Sequence, residues 1–125
     1  MAYKSSPVGN EISCVFYGLN PELLNNYKKL ENILVKALKK DKFTILKKLK
    51  KVSYIFKPQG FTLVILLAES HASIHTYPEY NSLCFYLYSC RGKEDGIKTF
   101  KEIKKALRPK QINFNQRSVI VSLEN

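Results

Sequence analysis

The chain has 125 residues, with 21 Lys and Arg against 10 Asp and Glu, a formal net charge of +11. That length suits one domain able to bury roughly two-thirds of its unfolded surface, and 45% hydrophobic with 12% aromatic residues excludes a disordered polybasic tail. The longest apolar runs, Leu63–Ala68 and Leu83–Tyr88, are six residues each, far short of the roughly 20 needed to cross a bilayer.

In chain order, Glu11–Tyr17 is short, β-rich and partly alternating, and reads as a strand. Asn20-Pro21-Glu22 is a helix start: an Asn cap, Pro at the first helical position and an acid in the first turn. Leu24, Tyr27, Leu30, Leu34 and Leu38 keep helical spacing to about Lys40. Lys42–Lys51 fits helix or strand. Val52–Phe56 reads as a strand, and Lys57-Pro58-Gln59-Gly60 as a turn with Pro second and Gly fourth. Phe61–Ala68 is a buried strand by its near-continuous apolar content. The strand is expected to resume over Ser70–Thr76 after a local break. Pro78–Ser82 is a turn and Leu83–Ser89 another apolar strand. A second helix is expected from about Glu94 to Leu107, with Ile97, Phe100, Ile103 and Leu107 as its apolar stripe and Pro109 as its stop. Ile112–Phe114 and Val119–Leu123 close the chain as strands. The expected fold is an α+β two-layer sandwich, an antiparallel-rich sheet with two helices on one face, as a single domain over residues 1–125.

No charged segment followed by an apolar one opens the chain, so no secretory signal is expected. Three cysteines, an odd number, argue against a disulfide framework and suit a reducing, cytoplasmic setting. Cys14 and Cys84 read as core. Eleven lysines fall between Lys28 and Lys57, and Arg91–Lys110 adds eight cations. They occupy wet helix faces, and no nucleic-acid-binding motif accompanies them, so a nucleic-acid role rests on charge alone.

The densest polar cluster is Glu69-Ser70-His71-Ala72-Ser73-Ile74-His75-Thr76, which holds both histidines. An extended segment puts His71 and His75 on one face but roughly 13 Å apart, whereas zinc ligands sit about 2 Å from the ion; no metal is expected. A Ser70–His75–Glu79 hydrolase lacks the G-x-S-x-G elbow and a Gly-rich loop for oxyanion donors. Cys90, followed by Arg91, sits where a thiol can be reactive.

Glu69 through Glu79 resembles the processing-site motif of the small prokaryotic S-adenosylmethionine decarboxylase proenzymes. Gly9–Gly18 and Asn20–Leu24 are similar to that family's opening strand and helix start, Phe56 with Pro58-Gln59-Gly60 to its Phe-containing turn, and Ser89-Cys90 to its Thr-Cys pair. The resemblance implies self-cleavage between Glu69 and Ser70, giving a β chain of residues 1–69 and an α chain of residues 70–125 headed by a pyruvoyl group made from Ser70. It also implies that this group forms a Schiff base with a small-molecule substrate. His75 then assists proton transfer during processing, Thr62 supports it, and Cys90 protonates the product carbanion. Phe56, Tyr77 and Glu79 flank the substrate, and αβ units pair into a homodimer or larger assembly, with no membrane association. Ser70 and His75 are an odd number of positions apart, so a bend is required for them to meet. Departures from the family pattern are Thr62 for Ser, Leu63 for Gly, Tyr77 for Trp, Tyr86 for Asp and Arg91 for Gly. Three readings stand open: an S-adenosylmethionine decarboxylase of polyamine synthesis, a pyruvoyl arginine decarboxylase on the same scaffold, and a non-catalytic basic binding domain.

Overall fold

Alternating burial sets the architecture from the first element. In strand β1 (Val8–Tyr17), Ile12, Cys14 and Phe16 turn inward while Glu11, Val15 and Tyr17 face the other side. The computed structural model describes residues 8–46, 52–55 (main chain only), 60–68 and 70–121.

Asn20 caps the next element as its sequence signals, its side chain accepting from Glu22 N at 2.8 Å. The helix expected to run unbroken to Lys40 is two: α1 (Pro21–Leu24) and α2 (Tyr27–Lys40). The break falls on Asn25 and Asn26, where Asn26 starts a fresh helix by accepting from Lys29 N at 3.1 Å. A capping side chain here outcompetes helix continuation. Between α2 and β2, Ile45 makes one isolated bridge to Leu67.

Strands β2 (Val52–Ile55), β3 (Phe61–Leu67), β4 (Ser70–Tyr77), β5 (Ser82–Ser89) and β6 (Gln111–Ile120) join β1 in one six-stranded sheet of order β2-β3-β4-β5-β1-β6, every pairing antiparallel. Ser70–Thr76 does not resume the preceding strand. It reverses against it, with Leu67 opposite Ser70 and Thr62 opposite His75. Only positions 68 and 69 separate the two strands, and no Gly, Asn or Pro marks the reversal as hairpin turns usually do. The two expected closing strands are likewise one, because β6 pairs with β1 without interruption from Val8↔Ile120 to Tyr17↔Gln111; Leu123 lies outside the described residues.

Helix α3 (Ile97–Leu107) begins three residues later than its pattern suggests. Gly96 at φ 88 precedes it, a conformation open to glycine, and the Asp95 side chain is engaged elsewhere. Helices α2 and α3 pack side by side on one face of the sheet, as the two-layer α+β reading requires. Leu30, Leu34, Leu38, Phe100, Ile103 and Leu107 meet the inward residues of β1, β3, β4 and β5 in one core. Leu63, where a small residue was the pattern, is fully buried there. Cys14 is core, and burial pushes its thiol up to about 11. Cys84 is not: its neighbours Leu83 and Phe85 take the inward positions, leaving it half-buried on the helix-free face. The lysines at 28, 29, 36, 39, 98, 101, 104 and 105 lie exposed on the outer sides of the helices.

Candidate active site

The strand registers assemble two clusters of polar side chains. The first lies on the helix-free face, where β3, β4 and β5 set Thr62, His75 and Cys84 in one row across the sheet. Thr62 Oγ1 is 2.7 Å from His75 Nδ1. The His75 ring lies 4.5 Å, centroid to centroid, from that of Tyr77. Burial lowers the His75 pKa below its ordinary value, against the raising effect of the Glu79 carboxylate. Neutral imidazole is therefore the resting form at pH 7, the form that can take up a proton. Glu79 sits on the short 3-10 turn Pro78–Tyr80 that follows β4, and Tyr77 is part-exposed at the strand's end.

His71 occupies the same face two positions before Ser73, with its ring 5.7 Å from Tyr86 and 5.9 Å from Tyr88. Tyr86, where the family pattern has an acid, donates to Glu11 Oε2 at 2.7 Å, and Arg117 approaches the other oxygen at 3.4 Å. Burial and this carboxylate push the Tyr86 hydroxyl up to about 12. A hydrogen bond with the Cys90 thiol, with burial second, raises Tyr88. Cys90 is thus reached from the aromatic cluster at the end of β5.

The second cluster lies at that same end but on the core side. Ser70 opens β4 with an inward side chain, 9% exposed, and its Oγ is buried without a hydrogen-bond partner among the described residues. Ser89, fully buried, donates to the Asp95 carboxylate. Arg91 grips that carboxylate with Nε at 2.8 Å and Nη2 at 2.9 Å, reaches Asp41 at 3.4 Å, and lies 3.6 Å over the Phe43 ring. Asp41 in turn accepts from Thr99 N and Oγ1 at 3.0 and 2.7 Å. Asn10, also buried, donates to the Asp95 carbonyl at 2.8 Å. Burial opposes ionisation of Asp95, but the bonds from Arg91 and Ser89 outweigh it and hold the carboxyl below its ordinary value. Gly9 completes the fit, since a Cβ there would run into the Ser89 carbonyl oxygen.

The structure brings Ser70 and Cys90 to one end of adjacent strands and joins Thr62 to His75. It does not bring Ser70 to His75. The expected bend is missing, because β4 alternates regularly from Ser70 to Tyr77; the two side chains fall on opposite faces, about 16 Å apart along the strand. Phe56 and Glu69 lie outside the described residues. Ser89, Asp95 and Arg91 were not singled out as a unit by sequence; Glu94-Asp95-Gly96 ahead of a helix is the only signal that an acid is held there. Among the described residues no group of three or more His, Cys, Asp or Glu side chains is placed to hold a metal ion, and no helix is long and apolar enough to cross a membrane.

The family model for S-adenosylmethionine decarboxylase matches residues 10–118. This chain belongs to that family. It is 38% identical over 106 residues to a protein of Sulfurihydrogenibium sp. named S-adenosylmethionine decarboxylase proenzyme, covering 85% of this chain and 77% of that one. A proenzyme of the same name from Thermoplasma volcanium is 33% identical over 105 residues, covering 84% and 78%. The crystal structure of the adenosylmethionine decarboxylase from Aquifex aeolicus superposes with a TM-score of 0.83 at 28% identity, over 97% of this chain and 98% of that one. Likeness over nearly the whole of both chains carries the fold assignment from β1 to β6.

Proposed function

We propose that this chain is a self-processing, pyruvoyl-dependent decarboxylase that converts S-adenosylmethionine to its decarboxylated form for polyamine synthesis. Membership of the family supports it, and the hydroxyl of Ser70, buried and without a hydrogen-bond partner among the described residues, carries it: a serine at the first position of β4, directly after a chain reversal, offers a nucleophile for the peptide bond that precedes it. The Ser70 oxygen bonds to the Glu69 carbonyl carbon, the peptide C–N bond breaks, and an ester results. Elimination leaves a carboxylate on Glu69. Hydrolysis at residue 70 then releases ammonia and leaves a pyruvoyl group.

The residues present fit that group: Ser70 faces the core side with buried Ala72 next to it on the same face of β4, surroundings that suit three carbons and no charge. When formed, its ketone supplies an electron sink for the pair left by the departing carboxylate. His75, held through Thr62, keeps the proton-transfer role that the family resemblance implies; about 16 Å from Ser70 along its own strand, it would have to serve the Ser70 of a second αβ unit. Cys90 is the proton donor at the substrate α-carbon, an S–H group at the same end of the sheet as Ser70 and within hydrogen-bond reach of Tyr88. Phe56 and Tyr77 supply aromatic surface for the nucleoside, and Glu79 a carboxylate for hydroxyl groups or for the cationic end. No metal takes part. The helix-free face, with its half-buried aromatic and apolar side chains, is the surface on which a second αβ unit seats.

Denaturing mass spectrometry tests this directly. Two fragments are expected, split between Glu69 and Ser70, with the α fragment lighter than a plain hydrolysis product by conversion of its serine to pyruvoyl. A chain that stays intact on prolonged incubation refutes the reading.

A further inference from the structure

Self-cleavage begins when the Ser70 hydroxyl is oriented toward the Glu69 carbonyl, and His75 of β4 and Thr62 of β3 stand on the other face of the sheet, several positions away. A different hydroxyl is near. The β4–β5 ladder pairs Tyr77 with Ser82 and runs to His71 with Tyr88; one step further along the same register sets Ser70 opposite Ser89. Both side chains point to the core side, Ser70 at 9% exposure and Ser89 fully buried. Serine and threonine pairs directly opposite on antiparallel strands readily hydrogen-bond.

We infer that Ser89, fixed by Asp95, positions the Ser70 hydroxyl for the first step of processing. The inference rests on the self-processing reading above. Ser89 gives its own proton to Asp95 and accepts from Arg91 N at 3.3 Å, so what it has left for a neighbour is one acceptor lone pair. The Ser70 hydroxyl, buried and without a partner among the described residues, is the donor that lacks an acceptor. Rotation about its Cα–Cβ bond brings the hydrogen toward the opposing Ser89 and leaves the oxygen's lone pairs free to attack. Asp95 cannot swing away, because Arg91 holds both its oxygens and is itself pinned by Asp41 and Phe43.

The step balances within the chain. The Ser70 oxygen forms its bond to the Glu69 carbonyl carbon, the C–N bond between the two residues breaks, and the hydroxyl proton ends on the Ser70 nitrogen, which becomes the free amine. Ser89 and Asp95 are positioning residues. They orient the nucleophile and return unchanged.

The test follows full-length chain through synthesis, with cleavage timed on denaturing gels and by mass spectrometry, for wild type, Ser89→Ala, Ser89→Thr and Asp95→Asn. Ser89→Ala and Asp95→Asn are expected to slow fragment appearance at least tenfold, with Ser89→Thr close to wild type. Hydroxylamine, which cleaves esters but not ordinary peptide bonds, separates this role from a general one. If Ser89 acts before the ester forms, hydroxylamine leaves Ser89→Ala slow. Fast scission of that variant by hydroxylamine means the ester forms without Ser89 and overturns the inference. So does wild-type cleavage in Ser89→Ala at an unchanged melting temperature. Should Asp95→Asn fail to fold, Ser89→Ala, which keeps the Arg91–Asp95 pair, decides alone. Wild-type chain that never cleaves removes the self-processing reading itself, and the inference with it.

Discussion

Replacing Thr62 with Val isolates the contact that ties His75 to its neighbour strand. The Oγ1–Nδ1 separation of 2.7 Å is that of a full hydrogen bond, and the substitution changes shape very little while deleting the hydroxyl. A side-chain hydrogen bond is worth about 1 kcal/mol net, which is roughly a fivefold change in an equilibrium. That figure applies both to folding and to the orientation of the ring. A hydroxyl that donates to Nδ1 selects the neutral imidazole with its proton on Nε2, and one that accepts from Nδ1–H selects the other tautomer; either way the bond favours one form, and its loss weakens that preference and the hold on χ2. Thr62→Val is therefore expected to lose about 1 kcal/mol in urea unfolding and to slow self-cleavage by roughly fivefold or more. Thr62→Ser should restore cleavage, since it keeps the oxygen. Nitrogen NMR of labelled imidazole reports the tautomer directly. Wild-type cleavage in Thr62→Val, with His75 still on one tautomer, would refute the reasoning.

Other predictions concern the same clusters. Because burial holds the folded-state pKa of His75 below 6.5, the unfolded chain takes up the proton first. Stability attributable to this residue is full above pH 6.5 and falls as pH drops below it. The melting temperature of wild type relative to His75→Gln should accordingly shrink between neutral pH and pH 5.5, a range sampled at about half-unit steps; a constant difference contradicts the assignment. Cys90→Ala is expected to cleave normally yet lose most decarboxylation of S-adenosylmethionine, measured as released carbon dioxide, and normal turnover would end its role as donor. Gly9→Ala forces a methyl against the Ser89 carbonyl, so a loss of about 1–3 kcal/mol is expected from overpacking, readable by chemical denaturation. Alkylation at mildly alkaline pH should leave Cys14 intact in the folded chain, its thiol being buried and pushed up to about 11, as peptide mapping would show.

Most of the fold was legible because its elements follow local rules. Asn20-Pro21-Glu22 opened a helix, the Ile97–Leu107 stripe kept its period, and Leu83–Ser89 alternated. The failures sit where longer-range pairing decided the outcome. The chain reverses between Leu67 and Ser70 with no Gly, Asn or Pro in the sequence there, because the pairing of Leu67 with Ser70 and the burial of both strands fix the reversal. Ile112–Phe114 and Val119–Ile120 became one strand because β1 offers a partner to every residue between them. At the site, the motif residues could be named from their resemblance to a family, but their faces could not. Strand parity already put Ser70 and His75 on opposite sides, and β4 obeys parity instead of bending. Asp95 was invisible for a related reason: its value comes from Ser89, Arg91 and Asn10, which meet it only through the end of β5 and the start of β1.

The strand order has a consequence for the molecule after a cut between residues 69 and 70. The amino-terminal piece would own β1, β2 and β3, the carboxy-terminal piece β4, β5 and β6, yet β1 lies between β5 and β6. Each fragment is then threaded into the other's hydrogen-bonding ladder, with β3 on β4 as a second seam. Neither could depart without stripping a central strand from both flanks at once. The scission would turn one polypeptide into a permanent heterodimer whose native mass and melting behaviour hardly register the lost bond, and only a denaturant would reveal that there are two chains.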